Sequence, residues 1–198
     1  MITTVYLVRH AEPNFYNHND MDRELTPKGL QDCQLLLNYF SKQNIHVIYS
    51  SPYRRAIETI KATAEFHQVS IIKRDAFRER KISSNWIEDF QNFVQKQWQD
   101  FSFKLPSGES LEEVQERTIH ALKCLLKERP GEQIIISSHG TAISTIVNYF
   151  YPQFGLSDFQ KLKRLFPFII RMIFDKERCL SIYLDNIFTG ESNEIYSI

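Results

Sequence analysis

Four short apolar runs set the frame: "TTVYLVRH", "IHVIYSS", "VSIIKRD" and "EQIIISSHG". Each is rich in β-branched residues and too short for a helix, so each reads as a buried strand. Helical patterns stand between them. "LTPKGLQDCQLLLNYFSKQ" has Thr26 as N-cap and Pro27 at the first helical position. "SPYRRAIETIKATAEFH" again opens on Ser then Pro. "WIEDFQNFVQKQWQD", from Trp86 to Asp100, spaces aromatic and apolar residues as a helix does. "SGESLEEVQERTIHALKCLLKERPG" carries a capping box, Ser110 with Glu113. Its apolar face is Leu111, Val114, Ala121, Leu122 and Leu125, and Pro130 and Gly131 stop it. "TAISTIVNYFY" begins a further helix, and "FIIRMIFDKERCLSIYLDN" reads as two strands joined by a charged turn.

Strands alternating with helices imply a parallel sheet covered on both faces, and the closing hairpin adds an antiparallel edge. The expected fold is α/β: one domain over residues 1–198, a three-layer α/β/α sandwich with a mostly parallel central sheet. With 198 residues, 42% of them hydrophobic, the chain can build such a core. Its formal charge balances to zero, so there is no global case for nucleic acid or an anionic membrane as partner. No apolar run approaches the roughly 18 residues of a membrane span. The start, "MITTVYLVRH", lacks the pattern of a signal peptide. The three cysteines, Cys33, Cys124 and Cys179, are far apart and read as packing residues in a reducing compartment, so the expected location is the cytoplasm. Nothing in the sequence argues for a particular oligomeric state.

In open parallel sheets, ligands bind at the carboxyl ends of the strands. Arg9 and His10 follow the first run. Ser50, Ser51, Arg54 and Arg55 follow the second. The basic segment "KRDAFRERK", with Glu79 among arginines, follows the third, and His139 and Gly140 follow the fourth. These types suit phosphoryl transfer. Guanidinium groups pair with phosphate oxygens through parallel hydrogen bonds and stay charged. Helix N-termini after Ser51 and Gly140 add backbone donors. A neutral imidazole attacks phosphorus near pH 7, and a carboxylic acid protonates the leaving oxygen. Residue types and order do not say which histidine attacks. His18, His46, His67 and His120 have no such context and read as surface or packing residues.

"LVRHAEP" resembles the "RHG" signature of the histidine phosphatase superfamily, the phosphoglycerate-mutase-like enzymes. "RELTPKG", "IYSSPYRRAIET", "FRERKIS", "SGESLEEVQER" and "IIISSHGTAIS" support the resemblance, in the family's order and over most of the chain. The resemblance implies that His10 is the nucleophile that becomes a phosphohistidine. It implies that Arg9, Arg55 and His139 hold the transferring phosphoryl group. Glu79 matches the proton donor, which then serves as base toward water. No metal or other cofactor is implied, and "DMD" at Asp20 to Asp22 reads as a solvated loop. A cation beside His10 disfavours its protonation and keeps the attacking nitrogen free.

The chain departs from the family pattern in places. Ala11 stands where the family has glycine, and alanine reaches positive φ at a cost. Tyr16 stands where the family has asparagine, and its neighbours Asn14 and Asn17 are the candidate phosphate contacts. Thr141 replaces a second glycine, with its backbone amide, like Gly140, a candidate donor to substrate. The function expected is metal-independent hydrolysis of a small organic phosphomonoester. A phosphoglycerate mutase is the alternative, but the chain is compact and "KISSNWIEDF" does not resemble the mutase's substrate-binding segment. A non-catalytic phospho-ligand-binding protein is the third reading.

Overall fold

The computed structural model describes residues 1–83 and 88–197. All its strands lie in a single seven-stranded sheet. Its elements, in chain order, are β1 (Ile2–Arg9), α1 (Pro27–Phe40), β2 (Val47–Ser50), α2 (Arg54–His67), β3 (Ile71–Lys73), α3 (Phe90–Gln99), α4 (Leu111–Glu128), β4 (Gln133–Ser138), α5 (Gly140–Phe150), α6 (Leu156–Leu162), β5 (Ile169–Asp175), β6 (Arg178–Asp185) and β7 (Ser192–Ser197). A short 3-10 turn, Asp75–Phe77, follows β3. The spatial order is β3-β2-β4-β1-β5-β6-β7. β1 to β4 run parallel, and β5 to β7 run antiparallel beside them.

The period-2 alternation of a strand sorts β1 and β4 between two cores. Val5, Leu7, Ile134 and Ile136 face α4 and α5, with Leu122, Leu125, Ile143 and Val147. Tyr6, Val8 and Ile135 face the opposite way, onto Leu36 and Phe40 of α1 and Ile60 and Ala64 of α2. A strand buried on both faces is apolar at nearly every position, which is why these runs could be read directly.

Several boundaries differ from the sequence reading. The antiparallel portion is larger than one hairpin, because the polar segment "SNEIYS" adds β7 on the outer edge. α2 starts at Arg54, with Tyr53 as N-cap, so Ser51 and Pro52 precede the helix. α6 is only seven residues long, with Phe159 and Leu162 buried, too short for a helical period to show. The predicted third helix is α3, and residues 84–87 of that reading lie outside the described residues. The capping box on Ser110 and Glu113 forms, as does the Thr26 cap with Pro27 behind it. Among the described residues, no helix is long and apolar enough to cross a membrane.

One glycine is fixed by close approach. Gly29, in the first turn of α1, lies against the backbone of Glu12, and a Cβ there would overlap the Glu12 carbonyl oxygen. Thr26 N–H donates to that same carbonyl at 2.9 Å. The contact therefore pins the segment just after His10. Gly29→Ala is expected to cost about 1–3 kcal/mol of stability, read as a lower urea midpoint with unchanged slope. An unchanged midpoint would show that the segment yields freely.

Candidate active site

The parallel register of β1 and β4 builds the site. Arg9 pairs with Ser138, and His10 N–H donates to the Ser138 carbonyl at 3.1 Å. His10 and His139 therefore leave the sheet side by side, with ring centroids 5.2 Å apart. Both rings are buried. His10 Nδ1 lies 2.8 Å from the Ala11 carbonyl oxygen. A carbonyl only accepts, so Nδ1 carries the ring proton and the Nε2 lone pair is free. Burial, then the Arg9 and Arg55 charges, hold the His10 pKa well below its usual 6.5. His139 is shifted the same way, first by burial and then by Arg55, His10 and Arg9.

Ala11 is fully buried. Its N–H donates to Thr59 Oγ1 at 2.9 Å. Among the described residues, the non-glycine residues with positive φ are Gln68, Ser107 and Lys176. The backbone at Ala11 thus does not use the conformation that would require glycine. Ser51 Oγ accepts from Tyr53 N–H and lies 2.7 Å from His139 Nε2. Donation of the Ser51 proton to Nε2 places the His139 ring proton on Nδ1.

Arg55, one residue beyond exposed Arg54, is buried. Its Nη1 donates to the Asp20 carbonyl and its Nη2 is 3.1 Å from the Asp20 carboxylate. The triplet that reads as a solvated loop thus supplies the counter-ion of Arg55. Arg9 Nη1 donates to the carbonyls of Leu162, Lys163 and Leu165 at 2.8–3.2 Å, at the end of α6. Phe166 stacks on the same guanidinium at 3.6 Å and lies 5.7 Å from the His10 ring. A Cβ at Gly140 would come within 3.3 Å of Arg9 Nε. Arg9 Nε, Arg55 Nε and His139 Nδ1 are buried and have no partner among the described residues. Buried donors left unpaired are costly, and a phosphate would supply the missing acceptors.

Glu79 Oε1 accepts from Arg80 N–H at 2.9 Å and Oε2 from Thr141 N–H at 3.2 Å. The amide of Thr141, a candidate substrate donor, therefore holds the acid instead. Glu79 makes no ion pair with Arg78 or Arg80. Arg78 pairs with Glu109 and Asp75, and buried Arg80 donates to Gln97 Oε1 at 2.6 Å. Within the basic segment Arg78 and Arg80 are engaged internally, while Lys73, Arg74 and Lys81 are exposed. Asn14 and Asn17 donate through Nδ2 to Glu24 at 2.6 and 2.7 Å, so both amides brace the loop wall. Among the described residues, no group of three or more His, Cys, Asp and Glu is arranged to hold a metal.

The family model of the histidine phosphatase superfamily (branch 1) matches residues 5–179. A putative phosphoserine phosphatase 2 of Hydrogenobacter thermophilus is 29% identical over 156 residues, covering 72% of this chain and 76% of the relative. A probable phosphoglycerate mutase of Serratia proteamaculans is 27% identical over 156 residues, covering 73% of each. A mycobacterial glucosyl-3-phosphoglycerate phosphatase structure superposes with a TM-score of 0.73 at 15% identity, over 93% of this chain and 98% of that one.

Neutral buried histidines have a consequence for stability. The unfolded chain binds protons at these positions below about pH 6.5, while the folded chain does not. Stability is therefore expected to fall as pH drops from 6.5, by up to about 1.4 kcal/mol per pH unit for each imidazole. His10→Gln and His139→Gln should each flatten that slope in urea unfolding between roughly pH 7 and pH 5. A slope unchanged in both variants would contradict neutral imidazoles in the fold.

Proposed function

The chain belongs to the histidine phosphatase superfamily, and from that premise we propose that it hydrolyses a small organic phosphomonoester, without a metal, through a phosphohistidine on His10. The observation that carries this reading is the His10 tautomer. Nδ1–H is spent on the Ala11 carbonyl, and a free Nε2 lone pair sits in a buried, cationic site.

The substrate phosphate binds where Arg9 Nε, Arg55 Nε and His139 Nδ1 offer unpaired donors. Cations on a transferring phosphoryl group stabilise the charge that spreads over its oxygens. Nε2 of His10 attacks phosphorus, the bond to the ester oxygen breaks, and Glu79 gives that oxygen its proton. In the second half, Glu79 takes a proton from water as its oxygen attacks phosphorus. The P–N bond breaks, inorganic phosphate leaves, and His10 returns to its neutral form.

A mutase uses the same first half but must shield the phosphoenzyme from water. The compact chain, with "KISSNWIEDF" unlike the mutase's substrate-binding segment, supports the hydrolase reading. Relatives of similar identity carry both names, phosphoserine phosphatase and phosphoglycerate mutase. The cysteines are unpaired, with Cys33 and Cys179 buried, which supports a place in the reducing cytoplasm. The partner in this reading is a small phosphorylated substrate rather than nucleic acid or a membrane.

Purified protein with p-nitrophenyl phosphate and EDTA is expected to release phosphate. His10→Ala should lose that turnover by several orders of magnitude. A denaturing quench at alkaline pH should trap a base-stable, acid-labile phosphoryl group on wild type only. Turnover that the chelator abolishes, or that survives in His10→Ala, would overturn the proposal. Transfer of the phosphoryl group between positions of a phosphoglycerate, without net release of phosphate, would establish the mutase instead.

A further inference from the structure

Glu79 must act within hydrogen-bond reach of the leaving oxygen, and a proton donor misplaced by an ångström loses much of its effect. Yet it stands on no helix or strand. Residues 78–83 follow the 3-10 turn as an irregular segment. Thr141 N–H, in the first turn of α5, holds the Glu79 carboxylate, but the Glu79 backbone needs a separate support.

Arg117, on α4, reaches under this segment. Its Nη1 donates to the carbonyls of Ala76 at 2.7 Å and Arg78 at 3.0 Å, and its Nη2 lies 3.4 Å from the carbonyl of Glu79 itself. Its Nε donates to Glu109 Oε1 at 3.0 Å. Glu109 works on the same segment from the other side. Its carboxylate accepts from both Nη groups of Arg78 and from Lys81 N–H at 2.8 Å. Its own N–H donates to the Lys81 carbonyl at 2.7 Å. The side chains of Arg117 and Glu109 are only 17% and 16% exposed, so these bonds are sheltered from water. Burial alone would raise the Glu109 pKa, but the bonds from Arg78, Arg117 and Lys81 outweigh it and hold it down to about 2. The carboxylate is thus charged at any working pH.

We propose that Glu109 and Arg117 form a clamp that positions Glu79 for proton transfer, and that the clamp sets how well this enzyme expels poor leaving groups. The proposal rests on the phosphatase reading of the site and on Glu79 as its acid. When the P–O bond breaks, an alkoxide needs the Glu79 proton as it departs. A p-nitrophenolate is stable as the anion and leaves without it. A misplaced Glu79 therefore penalises an alkyl ester far more than a p-nitrophenyl ester. A clamp that merely stabilised the fold would reduce the active fraction, and so lower both rates together.

The test measures kcat/KM for benzyl phosphate and p-nitrophenyl phosphate, which are alike in shape, on the same sample of each variant. The ratio of the two is independent of how much protein is folded. Glu79→Gln is expected to lower the benzyl-to-nitrophenyl ratio by about 100-fold. Glu109→Gln and Arg117→Lys should each lower it by about 10-fold or more. A lysine keeps the charge of Arg117 but lacks the fork that spans Glu109 and the carbonyls. Combining Glu109→Gln with Glu79→Gln should add little to Glu79→Gln alone, because both act through one proton. If Glu79→Gln shifts the ratio while both clamp variants hold it within about twofold of wild type, the clamp proposal is wrong and the phosphatase reading stands. If Glu79→Gln leaves the ratio unmoved, Glu79 is not the acid, and the assignment beneath the proposal falls with it.

Discussion

The site depends on one register. β1 and β4 run parallel with Arg9 opposite Ser138, and the first peptide beyond the pair, His10 N–H to Ser138 O, continues the ladder. A slip of one residue would turn every side chain of β1 to the other face of the sheet. Val5 and Leu7 would trade places with Tyr6 and Val8, and the two cores are shaped against that exchange. Apolar packing on both faces thus locks the register, and the register sets the histidine pair. The chemistry at the strand ends is positioned by burial far from it.

The same burial sets the electrostatics. Two imidazoles and two guanidiniums share one enclosed place, and four positive charges there would repel one another at low dielectric. The histidines resolve this by staying neutral, which is the form a nucleophile needs. The arginines cannot shed their charge, so each finds partners. Arg55 takes the Asp20 carboxylate, and Arg9 takes the carbonyls that end α6, with Phe166 on its face. The backbone oxygens engage Arg9 Nη1 without cancelling the guanidinium charge. Arg9 therefore keeps a positive field toward His10 and ties the 162–166 segment to that residue.

Legibility in the sequence followed the range of the interaction. The buried parallel strands announce themselves, because both faces demand apolar residues. Arg9, His10, Arg55, Glu79 and His139 stand out in the sequence as polar groups at the ends of such strands, and the family resemblance is what attaches roles to them. β7 was missed because an outer edge strand packs little, and "SNEIYS" offers only Ile195 and Tyr196 as apolar anchors. Ser51 looked like a helix cap from its Ser-Pro context, and only the sheet brings it to His139. Asn14 and Asn17 are polar residues beside the nucleophile in sequence, but Glu24 is the acceptor that claims them in space. Glu109 lies in a motif that was read as a helix start, because the Ser110 cap is local and the Arg78, Lys81 and Arg117 contacts are not.

In the proposed mechanism two different devices place the two reacting groups, and the sheet explains the division. His10 leaves a central strand, hydrogen-bonded to β4 on one side and β5 on the other, so the main chain alone fixes it. Glu79 comes after β3, an edge strand of three residues whose only partner among the described residues is β2. An edge so short cannot orient a side chain beyond the turn that follows it. Charged side chains from outside the sheet take over there, where main-chain pairing has run out. Their bonds go mainly to the backbone of the segment rather than to the Glu79 carboxylate, which makes no salt bridge among the described residues. An acid that must give a proton and then recover it has to be held still without being neutralised. Clamping its peptide, instead of pairing its charge, meets both demands.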